Sequence, residues 1–244
     1  MDLSLVRQTA PEWFRAEGLV SADLRGTATI ELQGAATPYR IQLRIWVDAD
    51  GLNVSEAEPT QLPSRCPERH INNDGTFCLG FGLSGLGNGL DGARVWWGLL
   101  REYLKHQRTA ERTGLWPVRA AISHGKAGVH HIAALEAAKA LGVEDSYNRL
   151  IEGERCWIND RSVRISKDGS RLVNGRSPCP VGCRGRRQRA RLRRECCRAE
   201  DVLRLIRSEQ QRKTAEVEFW RDWQAKGHRC CGTMRECPAG DQRS

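Results

Sequence analysis

His70-Ile71-Asn72-Asn73-Asp74-Gly75-Thr76-Phe77-Cys78-Leu79 lies within residues 62–92, a stretch rich in Gly, Pro and Asn with neither helical nor strand periodicity. A loop of that length inside a compact domain is functional or disordered. Asn72 to Gly75 are turn formers, and Cys78 follows between two apolar residues, Phe77 and Leu79. Upstream, Tyr39 to Val47 alternates as a strand with Tyr39, Ile41, Leu43, Ile45 and Val47 on one face. Thr27–Leu32 and Leu52–Ser55 read as its neighbours, with a hairpin turn at Asp48–Gly51. Residues 27–58 are therefore expected to form an antiparallel meander. An opening stretch containing Leu5, Val6, Trp13 and Phe14 reads as helical, interrupted at Pro11.

Downstream, Trp96, Leu99, Leu100, Tyr103 and Leu104 recur at the spacing of a buried helix face, which makes them core residues. A second helix is expected over 129–141, stopped by Gly142. Helix, strands, long loop and helices in that order predict an α+β fold.

The 244-residue chain carries a formal charge of +9, unevenly spread. Residues 1–150 are nearly neutral, whereas residues 151–244 hold most of the excess arginine and eight of the ten cysteines. This asymmetry predicts two domains, 1–150 and 151–244, the second small, cysteine-rich and mostly helical. A helix over 200–226 with Gly227 as its stop fits the second. No apolar run is long enough for a membrane span, and the first residues lack a secretion signal pattern, so a cytoplasmic protein is expected.

The quoted decapeptide resembles the active-site segment of ubiquitin-conjugating enzymes. In that family a His-Pro-Asn triplet precedes Ile-Asn, a turn ending in Gly, a small hydroxyl residue, an apolar residue and then Cys-Leu. The spacing from Ile71 to Cys78 matches without a gap, and the order of flanking elements agrees over roughly residues 10–150. The triplet's positions hold Glu68, Arg69 and His70, and Leu79-Gly80 follows the cysteine, which is more similar to the divergent bacterial branch. The resemblance implies a ubiquitin-conjugating-like domain that carries an acyl group as a thioester on Cys78. It implies as partners a ubiquitin-like modifier or another activated protein C-terminus, an activating enzyme and a protein target. It also raises a bacterial conjugation or anti-phage operon as context. His70 is the first candidate to stabilise or deprotonate at the reacting carbonyl, and Asn72 is the second donor. The rival is a catalytically inactive binding module of the same fold, with Cys78 an inert buried thiol.

Cys156, Cys179, Cys183, Cys196, Cys197, Cys230, Cys231 and Cys237 are the candidate metal ligands. Clustered cysteines outside an oxidising compartment more often bind zinc than form disulfides, and eight fit two structural four-ligand sites. One grouping is Cys179, Cys183 and Cys196 or Cys197; the other is Cys230 or Cys231 with Cys237, joined by Cys156 or His228. No spacing is a clean Cys-x2-Cys, so free thiols remain the alternative. Cys66, before Pro67, reads as structural. Arg184, Arg186, Arg187, Arg189, Arg191, Arg193 and Arg194 form either a solvated arm or a site for an acidic protein or nucleic acid, although aromatic interleaving is absent. His124, His130 and His131 read as solvated helix-end residues, and the adjacent pair cannot readily chelate one ion.

Overall fold

The computed structural model describes residues 2–20, 23–34, 36–49, 51–80, 87–117, 122–160, 163–173, 179, 192 and 196–240. The described chain divides into two compact units. The first comprises residues 1–117 and 228–244, and the second residues 118–227.

The first unit is α+β. Helix α1 (Leu3–Gln8) starts at Asp2, whose carboxylate accepts the Ser4 N–H at 3.0 Å. Four strands follow: β1 (Phe14–Val20), β2 (Asp23–Ile30), β3 (Tyr39–Asp48) and β4 (Gly51–Glu56). They form one antiparallel meander in chain order. Leu24, Ala28 and Ile30 of β2 and Tyr39, Ile41, Leu43 and Ile45 of β3 are buried on one face, as the alternation predicts. Val47 lies on the same register but is exposed, because the strand ends there.

Strand β1 departs from the sequence reading, which took Trp13 and Phe14 into a helical stretch. The reason is tertiary. Phe14 to Val20 pairs with β2, and Gly26 lets the two backbones close: a Cβ there would stand 2.4 Å from the Arg15 carbonyl. Strand pairing overrides the local helix propensity of Arg15, Ala16 and Glu17.

Helix α2 (Leu90–Thr113) buries Trp96, Trp97, Leu100, Tyr103 and Leu104. Trp97 joins three elements: its ring meets Phe14 at 4.8 Å between centroids, and its indole N–H donates to the Val6 carbonyl at 2.9 Å. Each such side chain contributes about 1.5–3 kcal/mol of burial. At the far end, Gly114 closes α2 in a left-handed conformation (φ 71°) and accepts the Arg235 N–H at 2.8 Å. A Cβ at Gly114 would lie 2.6 Å from Arg235 Cγ, so backbone and space both favour glycine. The last described residues, 228–240, thus fold with the first unit.

The second unit is mostly helical: α3 (Lys126–Leu141), α4 (Glu144–Ile151), the short hairpin β5 (Arg164–Ile165) and β6 (Leu172–Val173), and α5 (Ala199–Ala225). Alanines 134, 137 and 138 of α3 let it pack closely on Val202, Leu205 and Ile206 of α5. The sequence reading had joined this helix to the meander; its small-residue face instead fits α5. His131 is buried beside Ser123 and Tyr147, and His124 pairs with Glu216 at 2.6 Å. Both therefore differ from the solvated histidines expected. Glu209, 3% exposed, binds Arg212 through two hydrogen bonds of 2.7 and 2.9 Å and accepts from the Tyr147 hydroxyl. No described helix is long and apolar enough to cross a membrane.

Removing Glu209 would leave the Arg212 guanidinium in a largely dry position without its carboxylate. Glu209→Ala is expected to destabilise the second unit by about 3 kcal/mol, read by chemical denaturation. An unchanged midpoint would show the pair to be solvent-compensated.

Candidate active site

Glu56, at the end of β4, begins the site. Its buried carboxylate accepts the backbone N–H groups of Thr60, Gln61 and Leu62 at 3.2, 2.9 and 2.9 Å, which fixes the path of the chain off the sheet. The chain then reaches Cys66 and a 3-10 turn, Pro67–Arg69. Cys66 and Ile71 exchange backbone hydrogen bonds of 3.0 and 2.9 Å across that turn. Closing so tight a turn drives His70 into the left-handed region (φ 52°), the one non-glycine residue with positive φ among those described.

The second turn, Asn72 to Thr76, is closed by the Thr76 carbonyl accepting the Asn72 N–H at 2.8 Å. Inside it the Asp74 carboxylate accepts from the Thr76 N–H and hydroxyl at 3.0 and 2.7 Å, which holds that carboxyl below its ordinary value despite partial burial. Asn72 Nδ2 donates to Thr76 Oγ1 at 2.9 Å. This turn returns the chain beside itself, so that the Cys78 N–H donates to the His70 carbonyl at 2.8 Å. Residues eight apart in sequence are thereby adjoining.

Helix α2 supports this backbone from behind. The Tyr103 hydroxyl donates to the carbonyls of Arg69 and His70 at 3.2 and 3.1 Å. Gln107 Nε2 donates to the Arg69 carbonyl at 2.6 Å, and Gln107 Oε1 accepts from Arg69 Nε at 2.8 Å. Burial pushes the Tyr103 phenol well above its ordinary value, which keeps it a donor. Phe77 stacks on the Tyr103 ring at 4.8 Å, and the His70 ring lies 4.8 Å from Trp116. Sequence periodicity marked Tyr103 only as core. Its hydroxyl, together with Arg69 and Gln107, has no spacing signal because the partners lie more than thirty residues away.

Cys78 is partly exposed, while His70 is half-buried and Asn72 open to solvent. Burial pushes the Cys78 thiol above its ordinary value, and the Gly80 N–H partly offsets this by facing the sulfur. The arrangement offers one reachable nucleophilic sulfur, an imidazole on the adjoining backbone and an amide at the rim.

The candidate metal ligands fall into separate groups. In the second unit Cys196 is hydrogen-bonded to Cys179 with Cys197 nearby. Cys183 and the seven arginines from Arg184 to Arg194 lie outside the described residues. Cys156 begins the turn Trp157–Asn159 and donates its N–H to Asn159 Oδ1 at 3.0 Å. In the first unit Cys230 is hydrogen-bonded to Cys237, and Cys231 Sγ stands 2.9 Å from Cys66 Sγ. Cys66 is the residue that sequence reasoning set aside. Among the described residues no three His, Cys, Asp or Glu side chains already surround one metal-sized point.

Two family models match the chain. One, described as a prokaryotic E2 domain, covers residues 21–118, which contain β2, β3, β4, the Cys78 loop and α2. The other, described as a cysteine-rich domain C-terminal to the E2 domain, covers residues 123–239. No curated protein and no solved structure matches. Three of the four strands, the cysteine-bearing double turn and the helix that braces it lie within the first match. The paired thiols farther on correspond to the second. The chain belongs to the prokaryotic E2 family, in the form that carries a cysteine-rich domain after the E2 domain.

Proposed function

We propose that this protein is a cysteine-thioester carrier and transferase that conjugates a ubiquitin-like modifier, or another activated protein C-terminus, to a target. The observation that carries the reading is the Cys78–His70 backbone bond, which puts a partly exposed sulfur and an imidazole on one braced loop. In the loading step the Cys78 thiolate attacks the carbonyl of a thioester held by an activating enzyme. A new C–S bond forms, and the donor's thiolate leaves. In the transfer step a target amine attacks the Cys78 thioester, the tetrahedral oxyanion collapses, and Cys78 departs as thiolate while the amine proton passes to a base. His70 can donate to the oxyanion or accept the amine proton. Asn72 keeps one amide N–H beyond the one given to Thr76, and so remains the second donor.

The family supports protein partners in general, and the resemblance supports a conjugation or anti-phage operon as the setting. We also read the cysteine groups as structural zinc sites, because the chemistry of the donor set, thiols gathered in close groups, fits that ion. The arginine run 184–194 is offered as a docking site for nucleic acid or an acidic protein. The burial that raises Cys78 favours the second reading, a binding module whose thiol is inert.

Non-reducing electrophoresis of tagged full-length protein from its own host separates the two. Wild type is expected to carry an adduct that dithiothreitol releases, Cys78→Ser one that resists it, and Cys78→Ala none. Activity fully retained by Cys78→Ala would sink the transferase reading.

His70 can be tested without straining its backbone, because Asn and Gly both enter the left-handed region readily. His70→Gly is expected to form thioester but to discharge it to an amine about a hundredfold more slowly. His70→Asn should stay close to wild type if donation to the oxyanion is the role. An equally slow His70→Asn, in single-turnover discharge assays, assigns the proton-accepting role instead.

The raised Cys78 thiol sets the pH dependence of its reactivity. The thiol is protonated at neutral pH and yields thiolate only as pH climbs. Iodoacetamide labelling of Cys78, followed by mass spectrometry, should keep rising above about pH 8.5, where an ordinary thiol is half ionised. A plateau below that pH would contradict the burial argument.

A further inference from the structure

Cys66 leads into the turn that carries His70, and its sulfur meets Cys231 from the end of the described chain at 2.9 Å. Cys230, next to Cys231 in sequence, is hydrogen-bonded to Cys237. Cys66 and Cys237 lie close enough to bear on each other electrostatically. Four of the ten cysteines therefore gather at one place on the first unit.

The backbone around them is arranged for sulfur. The Gly232 N–H donates to Cys230 Sγ at 3.3 Å. The Arg69 N–H donates to the Cys66 carbonyl at 3.0 Å, while those of Thr233 and Ala239 face the sulfurs of Cys231 and Cys237. The Thr233 hydroxyl lies 3.0 Å from Cys231 Sγ. Cys230, Cys231 and Cys237 thus each have an N–H directed at the sulfur from a turn just after the residue. Cys66 and Cys237 each open a turn before a proline, and the third turn contains Gly232 in the left-handed conformation. Such N–H groups favour thiolate, but Cys231 and burial hold the Cys66 thiol above its ordinary value, and burial with Cys230 does the same to Cys237. Arg69, 1% exposed, adds a positive charge: its hydrogen bonds go to Gln107 and to Thr233, and it bears electrostatically on Cys231. A buried guanidinium calls for negative charge beside it, and a set of thiolates supplies it.

We propose that Cys66, Cys230, Cys231 and Cys237 bind one zinc ion together, and that this ion ties residues 228–240 to the turn that carries His70. The proposal rests on the reading of the cysteine groups as zinc sites and adds a ligand from the E2 part of the chain. Four thiolates are the usual donor set of a closed structural zinc site. The Cys66 and Cys231 sulfurs already touch, and Cys230 neighbours Cys237. An ion with Zn–S distances of about 2.3 Å opens Cys66 and Cys231 to about 3.8 Å and draws all four sulfurs round one point. Each thiol that coordinates gives its proton to solvent. The Arg69 guanidinium offsets one of the two net negative charges of the site. Because Cys66 is bonded on both backbone groups to Ile71, the ion also fixes the loop between Cys66 and Cys78.

Metal analysis of the full-length protein tests this, with Cys66→Ser, Cys179→Ser and Cys78→Ser compared to wild type. Cys66→Ser and Cys179→Ser are each expected to lose one equivalent of zinc, and Cys78→Ser none. Circular dichroism monitors the fold of every variant. In cobalt-substituted protein, Cys66→Ser should weaken the sulfur-to-cobalt charge-transfer band, a readout independent of any transfer activity. Wild type with no zinc would overturn the zinc reading as a whole. Zinc lost in Cys179→Ser but kept in full by Cys66→Ser would overturn only this inference. A Cys66–Cys231 disulfide found by mass spectrometry of alkylated native protein would also overturn it.

Discussion

A buried guanidinium must have acceptors for its N–H groups, and Arg69 finds them in Gln107 and Thr233. That requirement organises the site. Gln107 cannot serve Arg69 Nε with its side-chain oxygen without placing its amide nitrogen near the Arg69 carbonyl, to which it donates at 2.6 Å. Tyr103, one helical turn earlier, fills the remaining position on the Arg69 and His70 carbonyls. The His70 carbonyl is thus held between the Tyr103 hydroxyl and the Cys78 N–H. Losing any one of these donors leaves a buried acceptor short, at about 1–3 kcal/mol. The left-handed backbone at His70 can therefore be maintained although it costs a non-glycine residue energy.

Local pattern showed in the sequence wherever the chain obeys its own periodicity. Tyr39 to Ile45 alternate and are buried in alternation, and α2 buries the positions that its 3.6-residue spacing marks except Leu99, which is half-buried. Gly142 and Gly227 stand where helix ends were expected, both in the left-handed conformation. The Cys78 loop was legible for a different reason. Its turn formers and cysteine are contiguous, so a resemblance over ten residues captured the two turns that bring Cys78 to His70.

What stayed hidden was set by partners far along the chain. Strand β1 contains Arg15, Ala16 and Glu17, which suit a helix in isolation; pairing with β2 decides against it. Tyr103 looked like core because burial was the only signal that one helix face could give, and Gln107 gave no signal at all. The distance from Cys66 to Cys231 is 165 residues, and no local spacing rule reaches across it. Cys66 consequently read as an isolated thiol before a proline. A helix such as α3, apolar through alanines, likewise shows that it packs closely without showing on what.

The partition of the cysteines has a physical logic that follows from the fold. A thiol used for acyl transfer must be reachable and unligated, so it cannot share turns whose N–H groups hold a metal set. Cys78 meets that condition: it lies beyond the Asn72–Thr76 turn from Cys66, and its own N–H is committed to the His70 carbonyl. Cys66 lies at the start of the same loop, buried and facing Cys231. One short loop therefore carries two thiols with opposite environments. A structural group at Cys66 could steady the His70 backbone without competing for the Cys78 sulfur. Had the two cysteines been exchanged, the transferring sulfur would stand buried against Cys231, where it could not turn over.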